Sequence, residues 1–385
     1  MTESGPTQES SEESSEATSR PPRNAAHRLA HVDALRAAAV LLVVVMHAGL
    51  TVVPGDGGVV VFFVISGFII TSVLIRELEV SGTFRPRRFY VRRGLKLGPP
   101  LAVLVVVPTL VYAAFRPVSW AAALSQVGFS YNWFAVADPG SAELVLPGSD
   151  VVWSLAIEEQ FYIVFAVLWI GLVRTRRWRA LTAALAAAVM VASFATRWSL
   201  VVGLDGPARN LDPSVFNHVY RGTDTRVEAI ALGVLLALAL DAHARGRLPA
   251  LGWLRRDAVL VAAGVLFLAS SVVFRNDWSE VALRPTAQGL CAALVIGYGL
   301  MPTGSAVQRG FYRLAAARWV QLVGLASYSI YLVHFPLIEL VGALAPGVPP
   351  GVQFALNVTL GVGVGALCYR FVEVPVLQWR QRRGL

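Results

Sequence analysis

The chain has 385 residues, 56% of them apolar and 15% charged, against roughly 45–50% and about 25% in soluble proteins. With a mean hydropathy of +0.60 and about ten apolar stretches of bilayer-spanning length, an ordinary soluble enzyme is excluded. The net charge is +9, carried by 33 basic residues of which Lys96 alone is lysine, a bias that accompanies GC-rich genomes.

Residues 1–28 are mostly Ser, Glu, Thr and Pro, too polar to offset ordering entropy by burial, and are expected to form a disordered cytoplasmic tail. They lack the apolar core of a cleavable signal peptide, so the tail is expected to stay in the mature protein. Spans are predicted at 33–53, 57–75, 97–115, 151–173, 180–202, 225–244, 258–274, 285–301, 320–344 and 351–374. With the N-terminus inside, the inner segments carry 24 of the 33 basic residues, the outer segments 5 and the spans 4. The positive-inside rule therefore favours an all-α, polytopic bundle of ten transmembrane helices with both termini cytoplasmic. Topology accounts for the basic surplus, and no nucleic-acid partner is expected. The bundle is expected over residues 29–376 and a short basic cytoplasmic tail over 377–385. No fixed-period repeat is visible, and no appended soluble domain is expected.

Charged side chains inside spans normally face a cavity or a partner. The first span carries Asp33, Arg36 and His47. At about 100° per residue all three share one face, which predicts an inward-facing groove walled by Arg36 and His47. A neutral imidazole titrates near working pH, which suits His47 to general-base work, and a packed histidine is the alternative. Asp33 and Arg36 also read as a local ion pair. In the second span the Ser66-Gly67 pair suits either close helix packing or a substrate-facing hydroxyl. The segment 85–96 is dense in arginine, with Phe89 and Tyr90 among them. It reads as inner-face anchoring or as a site for phosphates and adenine.

The fourth span opens with Trp153-Ser154-Leu155 and then Glu158-Glu159-Gln160-Phe161-Tyr162. Glu158 and Tyr162 share a face; helix-end stabilisation of the carboxylates competes with a substrate role. Arg226, opening the sixth span, is a candidate to meet Glu158 or a substrate oxygen. Ser327, Tyr331 and His334 form one stripe of the ninth span, for a hydroxylated ligand or for interhelical bonding. Arg370 and Glu373 read as a structural pair. Cys291 and Cys368 lie within apolar stretches, and no cluster has metal-ligand spacing, so neither a metal nor a redox cofactor is expected.

Together these motifs resemble membrane-bound acyltransferase family three, which includes surface-polysaccharide O-acetylases, nodulation-factor acylases and acylases of macrolide sugars. The matching residues are Asp33-Ala34-Leu35-Arg36 with His47, the run 62–68, Arg88-Phe89-Tyr90-Val91-Arg92-Arg93, Trp153-Ser154-Leu155 with 158–162, 327–332 with His334-Phe335-Pro336, and 369–375. The resemblance implies a ten-span bundle that takes an acyl group from acyl-CoA at the cytoplasmic face and delivers it to a sugar hydroxyl. It implies that His47 and Arg36 are the essential pair and that Arg93 and Lys96 belong to donor handling. Two departures stand out: many members have an acidic residue at the position of Val60, and Lys96 replaces the commoner arginine, keeping charge but losing bidentate geometry.

The resulting expectation is an integral membrane O-acyltransferase moving an acetyl or short branched acyl group to a carbohydrate or glycosylated metabolite. Its place would be the plasma (inner) membrane of a GC-rich bacterium. His47, Arg36 and Glu158 are the catalytic candidates, with His47 taking the hydroxyl proton and Arg36 orienting the donor or balancing charge. Arg88, Arg92, Arg93 and Lys96 would bind the donor; Ser66, Tyr162, Arg226, Tyr331 and His334 would bind the acceptor. Acyl-CoA enters as co-substrate. The rival from another class is a transporter of lipid-linked or small glycosides, which would show paired broken helices and inverted repeats; no clear pair is visible.

Overall fold

A computed structural model describes residues 29–202, 211–274 and 278–384; the expected tail over 1–28 lies outside them. The described residues are helical, with no strand among them. The membrane-length elements, in chain order, are α1 (Ala30–His47), α2 (Gly55–Ser81), α3 (Pro86–Leu101), α4 (Trp153–Leu172), α5 (Trp178–Val201), α6 (Thr223–Ala244), α7 (Asp257–Val273), α8 (Arg284–Leu300), α9 (Ser327–Leu344) and α10 (Pro350–Cys368). Among the described residues nine helical segments are long and apolar enough to cross a membrane, and α7 makes ten when counted with Pro249–Arg255, which meets it at 72°. The helices run alternately between a basic end, where the chain enters α1 and leaves α2, and an opposite end.

Two expected spans depart from regular α-helical winding. Pro99 and Pro100 fall inside α3 and cannot donate to its ladder. A wide π turn at Ala102–Val106 follows before helix resumes at Val107–Ala113. The ninth span divides at Ala326 into Arg318–Leu325 and α9. A second π turn, Tyr369–Glu373, extends α10. Its wider winding rotates Glu373 away from Arg370: Glu373 accepts from the Ser329 hydroxyl at 2.5 Å, and the expected Arg370–Glu373 pair does not form.

α2 is the axis of the bundle. Its most apolar window is 72% buried against 17% for α5, so α2 is ringed by protein while α5 faces lipid. Close approach of α2 and α6 explains the small residue after Ser66. A Cβ on Gly67 would overlap the Ile230 carbonyl, and one on Gly233 the Val64 carbonyl; such reciprocal small residues let membrane helices pack backbone to backbone. Val164, Val167, Val261, Val265 and Leu268 are exposed, forming an apolar band suited to acyl chains and unfit for water. The connection from α3 to α4 folds into short helices, Trp120–Val127 and Tyr131–Ala137, the first capped by Ser119, which accepts from the Ala122 amide.

Candidate active site

A cavity of about 390 Å³ opens at the basic end between α1, α2, α3, α4 and α9. Arg88, Arg92 and Lys96 recur every four residues, which puts them on one face of α3, and all three line it. No carboxylate among the described residues pairs with any of these three cations. Arg88 donates to the Gly384 carbonyl at 3.0 Å, and Lys96 has no hydrogen bond among the described residues. Arg93, one step round the helix, is engaged differently. Its Nε donates to the two oxygens of Glu159 at 2.7 and 2.9 Å, and its Nη2 also bonds Glu159. Its guanidinium lies 3.3 Å above the Tyr162 ring. Arg93 is thus a clasp between α3 and α4, with its charge already answered.

Deeper in, the walls turn apolar, with Phe62, Ile65 and Ile69 of α2 beside Leu155. Polar groups persist among them. Arg36 donates to the Ser327 hydroxyl from Nε at 3.2 Å and from Nη2 at 3.0 Å. Glu158 has Arg93 and Ser66 as polar neighbours. Tyr331 shares a 2.7 Å hydrogen bond with Ser154 and donates to the Val151 carbonyl at 3.1 Å. Nine of the predicted site residues therefore line one cavity: Arg36, Ser66, Arg88, Arg92, Arg93, Lys96, Glu158, Tyr162 and Tyr331.

His47, His334 and Arg226 do not line it. His47 and Arg36 do share a face of α1 as predicted, but the face packs on α9: Arg36 meets Ser327 and, toward the opposite end, His47 meets His334. The His47 Nδ1 to His334 Nε2 distance is 3.1 Å, and Phe335 stacks on His47 at 4.6 Å between ring centroids. The α9 stripe is spent on interhelical bonds. Arg226 does not meet Glu158; its Nε donates to the Tyr220 carbonyl at 2.9 Å, near a second cavity at the opposite end.

The hydrogen-bond network assigns the histidine tautomers. His334 Nδ1 lies 2.8 Å from the Tyr331 carbonyl; a carbonyl only accepts, so this nitrogen carries the proton and His334 Nε2 holds a lone pair. His47 Nδ1 must then be the donor to His334, with the Val43 backbone as a further hydrogen-bond partner of the ring, and His47 Nε2 is the nitrogen that carries the lone pair. This is the arrangement a general base requires: one nitrogen anchored by an orienting acceptor, the other a lone pair. Fully buried His334 is the orienting group.

Sequence reasoning passed over Ser154 as a site residue, although it stands in a quoted motif, and read Ser327 only as part of the α9 stripe; their hydroxyls fix Tyr331 and Arg36. It also passed over Tyr328, which lines the cavity and donates to the Leu97 carbonyl at 3.0 Å.

A polytopic helical bundle with a cation-mouthed cavity and an oriented histidine is the setting of a membrane acyltransferase. The chain belongs to the acyltransferase domain family, which matches residues 29–370. It is similar to the peptidoglycan O-acetyltransferase OatA of Listeria monocytogenes, 28% identical over 90% of this chain and 55% of the relative. A putative O-acetyltransferase of Staphylococcus aureus is 26% identical over 91% of this chain and 58% of the relative. The Staphylococcus aureus O-acetyltransferase OatA is 24% identical over 90% of this chain and 56% of the relative. The chain thus spans somewhat over half the length of these curated relatives. No solved structure matches it.

Proposed function

We propose that the chain takes an acyl group from acyl-CoA at the cytoplasmic face of the bacterial plasma membrane and passes it to a carbohydrate hydroxyl. The observation that carries this reading is the row Arg88, Arg92 and Lys96, left without carboxylate partners at the mouth of a cavity whose inner walls are apolar. Phosphates satisfy such cations, and the acyl-bearing arm suits the walls. The basic end is taken as cytoplasmic, where acyl-CoA is made, in keeping with the 24 of 33 basic residues that the ten-span reading assigns to that side. The relatives' names supply the acceptor class, since one is a peptidoglycan O-acetyltransferase.

In the reaction, His47 Nε2 takes the hydroxyl proton as the hydroxyl oxygen attacks the thioester carbonyl carbon. The carbon–sulfur bond then breaks, and the departing CoA sulfur receives that proton from His47. In this reading Arg36, which lines the same cavity as the cation row, orients the thioester. Phe62 and Tyr331, with ring centroids 6.3 Å apart, stand where the acyl end must pass. Ser66, Glu158 and Tyr162 fall on the donor side of this point.

The test is acetyl transfer from labelled acetyl-CoA to chitotetraose and to peptidoglycan fragments by the purified chain in lipid nanodiscs. His47→Ala is expected to lose transfer by roughly 10²–10⁴-fold, the usual range for a positioned base, while folding and acyl-CoA binding are kept. Normal turnover per folded molecule in that variant overturns the base assignment.

A further inference from the structure

The second cavity, of about 440 Å³, lies at the end of the bundle opposite the cation row. It is built where three helices begin: Asp56 in the first turn of α2, Arg226 in the first turn of α6, and Arg284 with Gln288 in α8. The short helix Pro213–Arg221 closes it with Phe216 and Tyr220, whose rings stack at 5.5 Å and 11°. The Tyr220 hydroxyl donates to Asp56 at 2.7 Å, and Arg284 approaches the other Asp56 oxygen at 3.5 Å.

Arg226 is the feature this packing leaves unexplained. It is 7% exposed, its guanidinium is 4.8 Å from the Tyr220 ring centroid, and its Nε is satisfied by the Tyr220 carbonyl. Its terminal nitrogens have no hydrogen-bond partner among the described residues, yet they are not sealed from the cavity they border. A buried guanidinium with idle donors is costly unless something supplies acceptors. A stacked aromatic pair, a carboxylate accepting from hydroxyls and idle guanidinium donors are the groups that hold a sugar ring: its C–H face packs on an aromatic surface and its hydroxyls both donate and accept.

The position relates this cavity to the chemistry. His47 ends α1 and Asp56 begins α2, joined by the short turn 48–54, with Met46 packed on Gly55. Asp56 and Asp150 are the carboxylates whose charge reaches His47. Trp153 links the aromatic wall inward, 5.0 Å from Tyr220 and 6.4 Å from Phe63 between ring centroids.

We propose that this cavity is the acceptor site, holding a sugar ring against Phe216 and Tyr220 with its hydroxyls on Asp56 and Arg226 and one hydroxyl directed to His47. Donor and acceptor then approach His47 from opposite ends of the bundle. The proposal rests on the carbohydrate acyltransferase reading above.

The experiment uses the full chain in nanodiscs with chitotetraose as probe, following sugar binding directly and acetyl transfer separately. Arg226→Gln is the first variant. Phe216→Ala, at the half-exposed rim, is the second, in case the buried change lowers folded yield. Expected are a tenfold or greater weakening of chitotetraose binding and an equal rise in its KM, with acyl-CoA binding unchanged. Wild-type sugar affinity in folded Phe216→Ala and Arg226→Gln overturns the proposal, as does absence of sugar binding by wild type. Sugar binding that depends on these residues without any acetyl transfer supports the site and overturns the acyltransferase reading instead.

Discussion

A buried and a half-buried group of charge in this bundle have opposite fates. Arg197 on α5 is 1% exposed and spends its donors inside the protein. Nε reaches the Ala282 carbonyl at 3.0 Å, Nη1 the Thr225 carbonyl at 2.8 Å, and Nη2 both Glu228 and the Thr286 hydroxyl, the latter at 2.8 Å. Glu228 in turn accepts from Thr286 at 2.8 Å. The row Arg88, Arg92 and Lys96 has no such closure and borders a cavity. In a membrane interior an unanswered charge costs several kcal/mol, so a charge the protein itself satisfies is a structural device, and one left open is a place for a ligand. Arg93 shows that neighbours in sequence can fall on different sides of this line: the Glu159 clasp puts it with Arg197.

The comparison breaks first at the closed network. Arg197→Met leaves Glu228 buried without its cation, and breaking one partner of such a pair costs about 3–5 kcal/mol. The expected result is loss of monodisperse folded protein, measured by size-exclusion chromatography and thermal melting. Restoration by the double change Arg197→Met with Glu228→Leu sharpens the point, because removing both charges leaves nothing unpaired. If Arg197→Met folds normally, closure of the network is not what the bundle depends on.

The open row predicts the reverse pattern. Arg92→Ala with Lys96→Ala removes two cations that no described carboxylate holds in an ion pair, although Lys96 stands in the field of Glu373 and Asp33 and Arg92 in that of Glu77; folded yield and orientation are expected to stay near wild type. Acyl-CoA binding is expected to weaken by roughly tenfold or more per cation lost, on the scale of about 1.5–3 kcal/mol for hydrogen bonds to charged groups. Unchanged acyl-CoA affinity in the folded double variant removes the donor assignment and leaves the row as membrane anchoring.

Much of this was legible because hydropathy and helical period carry it directly. The apolar runs marked the spans, the shared face of Arg36 and His47 followed from an 11-residue separation, and four-residue steps put Arg88, Arg92 and Lys96 together. What stayed hidden depended on tertiary partners. Nothing in the sequence says that Arg93 turns to Glu159 while Lys96 does not, since both stand in one basic run. Arg226 was a candidate to meet Glu158 or a substrate oxygen; α6 presents it away from Glu158, to the second cavity beside Tyr220. Arg370 and Glu373 read as a pair under ordinary helical winding, and the π turn at Tyr369–Glu373 cancels that spacing. Asp56 drew no reading from the sequence at all, and its bond to Tyr220 joins positions 164 apart.

The smallest effect is expected where charges are paired but wet. At the basic end Arg179 meets Asp241 at 2.8 Å and Glu79 at 3.4 Å, while Arg245 bonds Glu79 and meets Asp241 at 3.1 Å. This network ties the end of α2 to the start of α5 and the end of α6, but the side chains of Glu79, Arg179 and Arg245 are 43, 30 and 37% exposed. Water and salt already screen such pairs, so Glu79→Gln is expected to change stability by less than about 1 kcal/mol. Orientation is expected to hold, since both arginines remain and acidic residues contribute little to it. Melting in low and in about 1 M salt checks the cause, because screening at the higher concentration acts within about 3 Å and should erase whatever difference exists. A loss of folding as severe as that expected for Arg197→Met would mean that burial is not what separates structural from dispensable charge in this bundle.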